Sequence, residues 1–151
     1  MMRNRKGFTA IEMALVTTIV GLMAAVALPK FGQMREQAEL NSAKRQLLSQ
    51  LGAARASAVQ RNRSVQLHTD GAEIWLTTDV AGVDTEIARR SRPYDQFDVK
   101  VEASNHPITF DPRGFATGLP ITGAKYLLYR ADRADSVCVT RFGTIVAECG
   151  L

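Results

Sequence analysis

Histidine and cysteine are scarce: His68, His106, Cys138 and Cys149 are the only ones in 151 residues. They do not stand at metal-ligand spacing with one another or with acidic residues, which argues against a zinc-type centre. A Gly-rich phosphate loop and a nucleophile elbow are missing as well, so nothing in the chain asks for catalysis or a cofactor. Each histidine therefore reads as a surface or packing residue, and Trp75, Phe97, Phe110 and Phe115 read as core or loop packing. Charge of one sign is also in short supply. The chain has 19 Lys and Arg against 15 Asp and Glu, and Arg3, Arg5 and Lys6 account for three of the basic ones, leaving 16 against 15. A strongly basic domain would point to nucleic acid through phosphate neutralisation, and the bulk of this chain lacks that signature. Internal repeats and low-complexity tracts are absent too.

What the chain does have is one long apolar run. Phe8 to Leu28 is interrupted by a single carboxylate, Glu12. As a helix rising about 1.5 Å per residue the run spans roughly 32 Å, enough to cross the ~30 Å hydrocarbon core of a bilayer. A charged group at the centre of such a span costs about 2.5 to 3.5 kcal/mol on insertion scales, and one that persists there usually has a partner. Glu12 is thus a functional candidate on physical grounds alone. The basic residues flank the run on its N-terminal side, which keeps that side cytoplasmic and sends the remainder outward. A cleavable signal peptide is the alternative, with Ala24-Ala25-Val26-Ala27 imitating its small-residue site.

After Pro29 the composition becomes charged while helical periodicity continues. Leu40, Ala43, Leu47, Leu51, Ala54 and Ala58 recur at intervals of three and four, predicting one buried helix face as far as about Gln60. From Ser64 the period becomes that of strands. Val65 to His68 and Glu73 to Thr78 flank the turn signal Asp70-Gly71, and Phe97 to Ala103 alternates apolar with polar. Further strands are expected at Ile108 to Phe110, Tyr126 to Arg130, Val137 to Arg141 and Ile145 to Cys149, with Ala131 to Asp135 as a loop. The expected class is α+β: a long N-terminal helix packed on an antiparallel sheet or small sandwich. If Gly143-Thr144 is a two-residue turn, Cys138 stands opposite Cys149, within disulfide range. Such a bond persists in an oxidising compartment. The alternative is a pair of reduced, buried thiols.

Gly7-Phe8-Thr9-Ala10-Ile11-Glu12, behind a short basic leader and ahead of the apolar run and Pro29, resembles the processing site of type IV pilins and type II secretion pseudopilins. The resemblance implies that a prepilin peptidase cuts between Gly7 and Phe8 and methylates the Phe8 amine. It also implies that Glu12 attracts the N-terminal ammonium of a neighbouring subunit, and that Gly21 and Pro29 loosen the helix. Partners would be the peptidase, other pilin or pseudopilin subunits, the inner membrane and an assembly platform. The implied division is a leader at 1–7, a membrane helix at 8–28, its amphipathic continuation at 29–63 and a β head at 64–151, with the head in the periplasm.

The head itself resembles H-type minor pseudopilins and FimT-type minor pilins. The carriers are the helix end Ala53 to Val65, a strand bearing Trp75, Ile108 to Gly114, and a closing Cys-to-Cys hairpin. Both groups are implied to sit at or near filament tips. FimT-type pilins include DNA receptors with a C-terminal GRxR motif, where this chain has Gly143-Thr144-Ile145-Val146 and so lacks both arginines. Arg89, Arg90 and Arg92 form a separate basic cluster, and Arg141 precedes the turn. A run of charges in a loop is more often a solvated face, so DNA binding stands as the alternative function. A membrane-anchored ectodomain that never enters a filament is a third.

Overall fold

The computed structural model describes residues 9–147 and Cys149. The chain divides after Glu36 into two compact units. Helix α1, Ala10–Arg61, begins in the first unit and ends in the second. In the first, the large apolar side chains from Ile11 to Met34 are exposed, Leu22 and Met23 by about two thirds. An 18-residue window there has a mean hydropathy of 2.2 and none of its residues buried, so the helix is long and apolar enough to cross a membrane.

In the second unit the stripe expected from the sequence is buried in full. Leu40, Ala43, Leu47, Leu51, Ala54 and Ala58 all lie at 1% exposure or less and share one core with residues from every long strand. Among the described residues nine strands follow α1: β1 Val65–Thr69, β2 Ile74–Val80, β3 Val83–Glu86, β4 Lys100–Ala103, β5 Ile108–Phe110, β6 Ala116–Thr117, β7 Ala124–Arg130, β8 Arg133–Val139 and β9 Ile145–Val146. A five-residue helix α2, Pro93–Phe97, precedes β4, with proline at its start where the missing N–H costs nothing. The strands form two antiparallel sheets, ordered β3-β2-β1-β5-β6 and β4-β7-β8-β9. The sheets are joined at one place by the Val101 N–H donating to Gly71 O at 2.9 Å, and at another by the Ala116 N–H donating to Arg141 O at 3.0 Å. Lys44 of α1 holds both carboxylate oxygens of Asp135 at 2.8 Å, and Arg130 pairs with Glu39, tying α1 to β7 and β8.

Several expectations need correction. Phe97 closes α2 instead of opening a strand, and the alternation that remains in β4 is only four residues long. Strand β8 starts at Arg133, because Ala131-Asp132 alone makes the turn and Arg130 pairs with Arg133. Strand β3 lies at a sheet edge with all four residues exposed, so it carries no burial alternation to detect. The terminal hairpin has a different register. Cys138 pairs with Val146 and Val139 with Ile145, because Thr140 to Thr144 form a five-residue connection closed by the Gly143 N–H to Thr140 O and the Thr140 N–H to Thr144 O. Cys149 nevertheless reaches Cys138, and the two form a disulfide with Cα atoms 5.4 Å apart. Ala147 lies outside the ladder, and the bond fastens Cys149 to β8 instead of bridging an opposed pair.

Candidate functional site

Glu12 sits in the first turn of α1, whose N-terminal backbone donors have no intrahelical acceptors. The Thr9 hydroxyl accepts from the Glu12 N–H at 3.3 Å, while the Glu12 carboxylate accepts from the Thr9 N–H at 3.4 Å. This reciprocal pair is a capping box. Its Thr-x-x-Glu spacing is present in the sequence but obscured by the apolar residues around it. The carboxylate is thereby held at the positive end of the helix dipole, where negative charge is favoured. Gly7 and Phe8 lie outside the described residues. Helix α1 runs on through Gly21 and Pro29. A side chain at Gly21 would meet nothing within 4 Å, and Pro29 lacks the N–H that would donate to Ala25 O.

The basic cluster lies after β3. Arg90 pairs with Glu86, its Nη1 lies 3.3 Å from Glu73, and its guanidinium stacks on Trp75 at 4.8 Å. Arg92 Nε lies 2.8 Å from the same Glu73. Two carboxylates thus offset two of the three arginines, leaving Arg89 as the member of the cluster without a carboxylate partner among the described residues. The Arg90 guanidinium in turn holds the Glu86 carboxyl below its ordinary pKa. Trp75 also stacks on His68, with ring centroids 5.4 Å apart, and His68 Nε2 meets Thr77 Oγ1 at 2.9 Å. Burial pushes the His68 imidazole below its ordinary pKa although Asp84 pulls the other way. His68 is thus a packing residue. Among the described residues no group of three or more His, Cys, Asp or Glu is placed to hold a metal.

Arg141 is not part of the cluster. It stands in the β8–β9 connection, beside a joint where three segments meet. Arg55 of α1 donates to Gly143 O at 3.0 Å, and Gly143 packs on the backbone of Gly114 in the β5–β6 turn. That turn is organised by Asp111. One carboxylate oxygen accepts from the Arg113 and Phe115 N–H groups, each at 2.9 Å, and the other from the Arg113 guanidinium. Burial alone would raise the Asp111 pKa, but these hydrogen bonds hold it below its ordinary value. The two turns set Phe115 and Phe142 edge to face at 6.4 Å, and the pair is 40% and 72% exposed. Phe115 was expected to pack; it does so against another exposed ring. Alternation from Cys138 through Thr140 puts Phe142 on the cysteine-bearing face of the expected terminal hairpin, whereas it stands in the β8–β9 connection and is exposed.

Comparison with known proteins places this geometry. A family model described as "Type II transport protein GspH" matches residues 43–143. The Pilin-like protein PilA1 of Thermus thermophilus is 33% identical over 142 residues, covering 82% of this chain and 86% of the relative. The type IV minor pilin FimU of Pseudomonas aeruginosa superposes with a TM-score of 0.60 at 21% identity, covering 75% of this chain and 90% of that one. The minor pseudopilin EpsH of the Vibrio cholerae Type 2 Secretion System superposes at 0.59 with 9% identity, covering 74% and 97%. At these identities the two structures report a shared fold.

Proposed function

The chain belongs to the GspH family of pilin-like subunits, and from that premise we propose that it is a minor pilin or pseudopilin, anchored by α1 and built into a filament near its tip. The family is structural, and the subunit's work is placement and contact. The observation that carries the reading is the split character of α1. Its first part is apolar, unburied and begins with a capped carboxylate, while its second part buries one stripe in a β head. An unburied apolar helix needs either lipid or neighbouring helices around it. A filament supplies the second when the subunit leaves the first. In this reading residues 1–7 are a leader, 8–28 the membrane span, 29–63 its continuation and 64–151 the head. The head faces the periplasm, and the peptidase and assembly platform are the partners that process and load the subunit.

The exposed Phe115–Phe142 pair supports head contacts with another subunit, since adjacent exposed aromatic rings suit an interface core. Charge offset within the Arg89 to Arg92 cluster, and the separate placement of Arg141, favour subunit contact over DNA binding as the role carried forward. The intact mass of the chain from native membranes tests the processing step. We expect the mass to start at Phe8, to include one added methyl group, and to be two hydrogens lower before reduction than after. A chain that retains Met1 to Gly7, or one that begins after Ala27, would remove the prepilin reading.

A further inference from the structure

A polar cleft of about 660 Å³ opens between α1 and the segment after β3, walled by Gln46, Gln50, Arg89, Ser91 and Gln96. Its walls are fixed. Gln46 and Gln50 lie one turn apart on a helix packed into the core, and Ser91 exchanges two 2.8 Å backbone hydrogen bonds with Ile74 of β2. Arg90 and Arg92 line the cleft as well, with their charges engaged by Glu86 and Glu73. Within this rigid frame three groups are left unused. The Gln46 amide nitrogen donates to Gln96 Oε1 at 3.0 Å, which fixes the amide and leaves its own Oε1 buried without a partner. Ser91 is 5% exposed, and its hydroxyl is also buried without a partner. Arg89, also in the lining, has no carboxylate partner among the described residues, unlike Arg90 and Arg92. Unsatisfied buried polar atoms cost about 1 to 3 kcal/mol each, so two in one cleft favour a ligand that supplies their hydrogen bonds.

The chemistry of the three groups selects the ligand. Gln46 Oε1 only accepts, so a ligand presenting acceptors alone, such as a phosphodiester, leaves that buried atom unmatched. Arg89 requires an anion and favours the planar, bidentate fit of a carboxylate. A polypeptide with an acidic side chain offers both a carboxylate and backbone N–H donors. We propose that this cleft receives an acidic peptide segment of a neighbouring filament subunit, with its carboxylate on Arg89, a backbone N–H on Gln46 Oε1 and a backbone carbonyl on the Ser91 hydroxyl. The neighbour as its source rests on the filament reading above; the site itself does not.

The test is a titration of the ¹⁵N-labelled full chain, monomeric in detergent micelles, with acetyl-Gly-Glu-Gly-amide, its Gln analogue and inorganic phosphate. The Glu peptide should shift the side-chain amides of Gln46 and Gln96 and the backbone amide of Ser91, and bind at least tenfold more tightly than the Gln peptide. Arg89→Gln, at an exposed position, should reduce the Glu peptide to the level of its analogue while Arg141→Gln leaves it unchanged. Absence of these shifts at millimolar peptide, equal shifts with phosphate, or no effect of Arg89→Gln would overturn the site. Because the titration uses monomeric protein, it reports on the cleft whether or not the subunit enters filaments.

Discussion

Glu12→Ala leaves the chain processed and membrane-bound but lowers its incorporation into filaments at least tenfold, and Glu12→Gln fails equally. The second variant is the more informative. Glutamine at this position preserves the capping box with Thr9, since its amide oxygen accepts the same Thr9 N–H, but it carries no charge. Loss of the cap alone would cost α1 about 1 kcal/mol and would be repaired by glutamine. Loss of attraction to a neighbour's N-terminal ammonium would not be repaired, because the energy is Coulombic and is enlarged where water is scarce. Removing one partner of a desolvated pair typically costs about 3 to 5 kcal/mol, well beyond the 1.4 kcal/mol that corresponds to tenfold. Filament-associated chain, measured against total mature chain for the wild type and both variants, separates the two roles. Rescue by glutamine would assign Glu12 to capping, and normal incorporation of the alanine variant would remove it from assembly altogether.

Gly143→Ala lowers head stability by about 3 kcal/mol or more, since among the described glycines an added Cβ would meet the closest obstruction there. Two penalties coincide there. The backbone is in the left-handed region at φ 72°, and a Cβ would collide with Gly114 O while crowding Arg55 Nε at 3.2 Å. The collision cannot relax by side-chain movement, because Gly114 is held by its own N–H to Asp111 O at 2.9 Å and Gly143 O by Arg55 at 3.0 Å. Gly82→Ala isolates the first penalty. Its φ is 83° and a Cβ there would meet nothing within 4 Å, so only the conformational cost of roughly 1 to 2 kcal/mol applies. Urea unfolding of the full chain in detergent, followed through Trp75, should show a midpoint about 1.5 M lower for Gly143→Ala and a much smaller shift for Gly82→Ala. Equal shifts would mean that the three segments do not meet as described.

The same glycine shows where sequence patterns carry and where they stop. The stripe from Leu40 to Ala58 was legible residue by residue, because helix periodicity and burial have one cause and no competing local signal. Strands β1, β2, β5 and β7 were legible for the same reason, having one face in the core. Strand β3 was not, since an edge strand exposed throughout has no face to reveal it. The terminal register failed because Gly143 suggests a turn from its own conformational freedom, whereas its position is dictated by contact with Gly114 and Arg55, distant in sequence. The cysteine pair was foreseen and the ladder position was not; the disulfide tolerates several registers, and only the hydrogen bonds of Thr140 to Thr144 choose among them. The arginine cluster was visible as charge, but its partners Glu73 and Glu86 come from separate strands and connections, so its nearly balanced character appears only in the folded chain.

Mild crosslinking in native membranes, purification through a tag on the head and identification of the joined chains by mass spectrometry is the most direct test of the central claim. A filament subunit should be recovered joined to other pilin-like chains, and those adducts should vanish in Glu12→Ala. Type IV pilus subunits among them would assign it to a pilus, and secretion pseudopilins to an export machine. Recovery of the processed wild-type chain with no pilin-like partner, at a crosslinker concentration that joins known subunits of the same membrane, would contradict the account and leave a membrane-anchored ectodomain in its place.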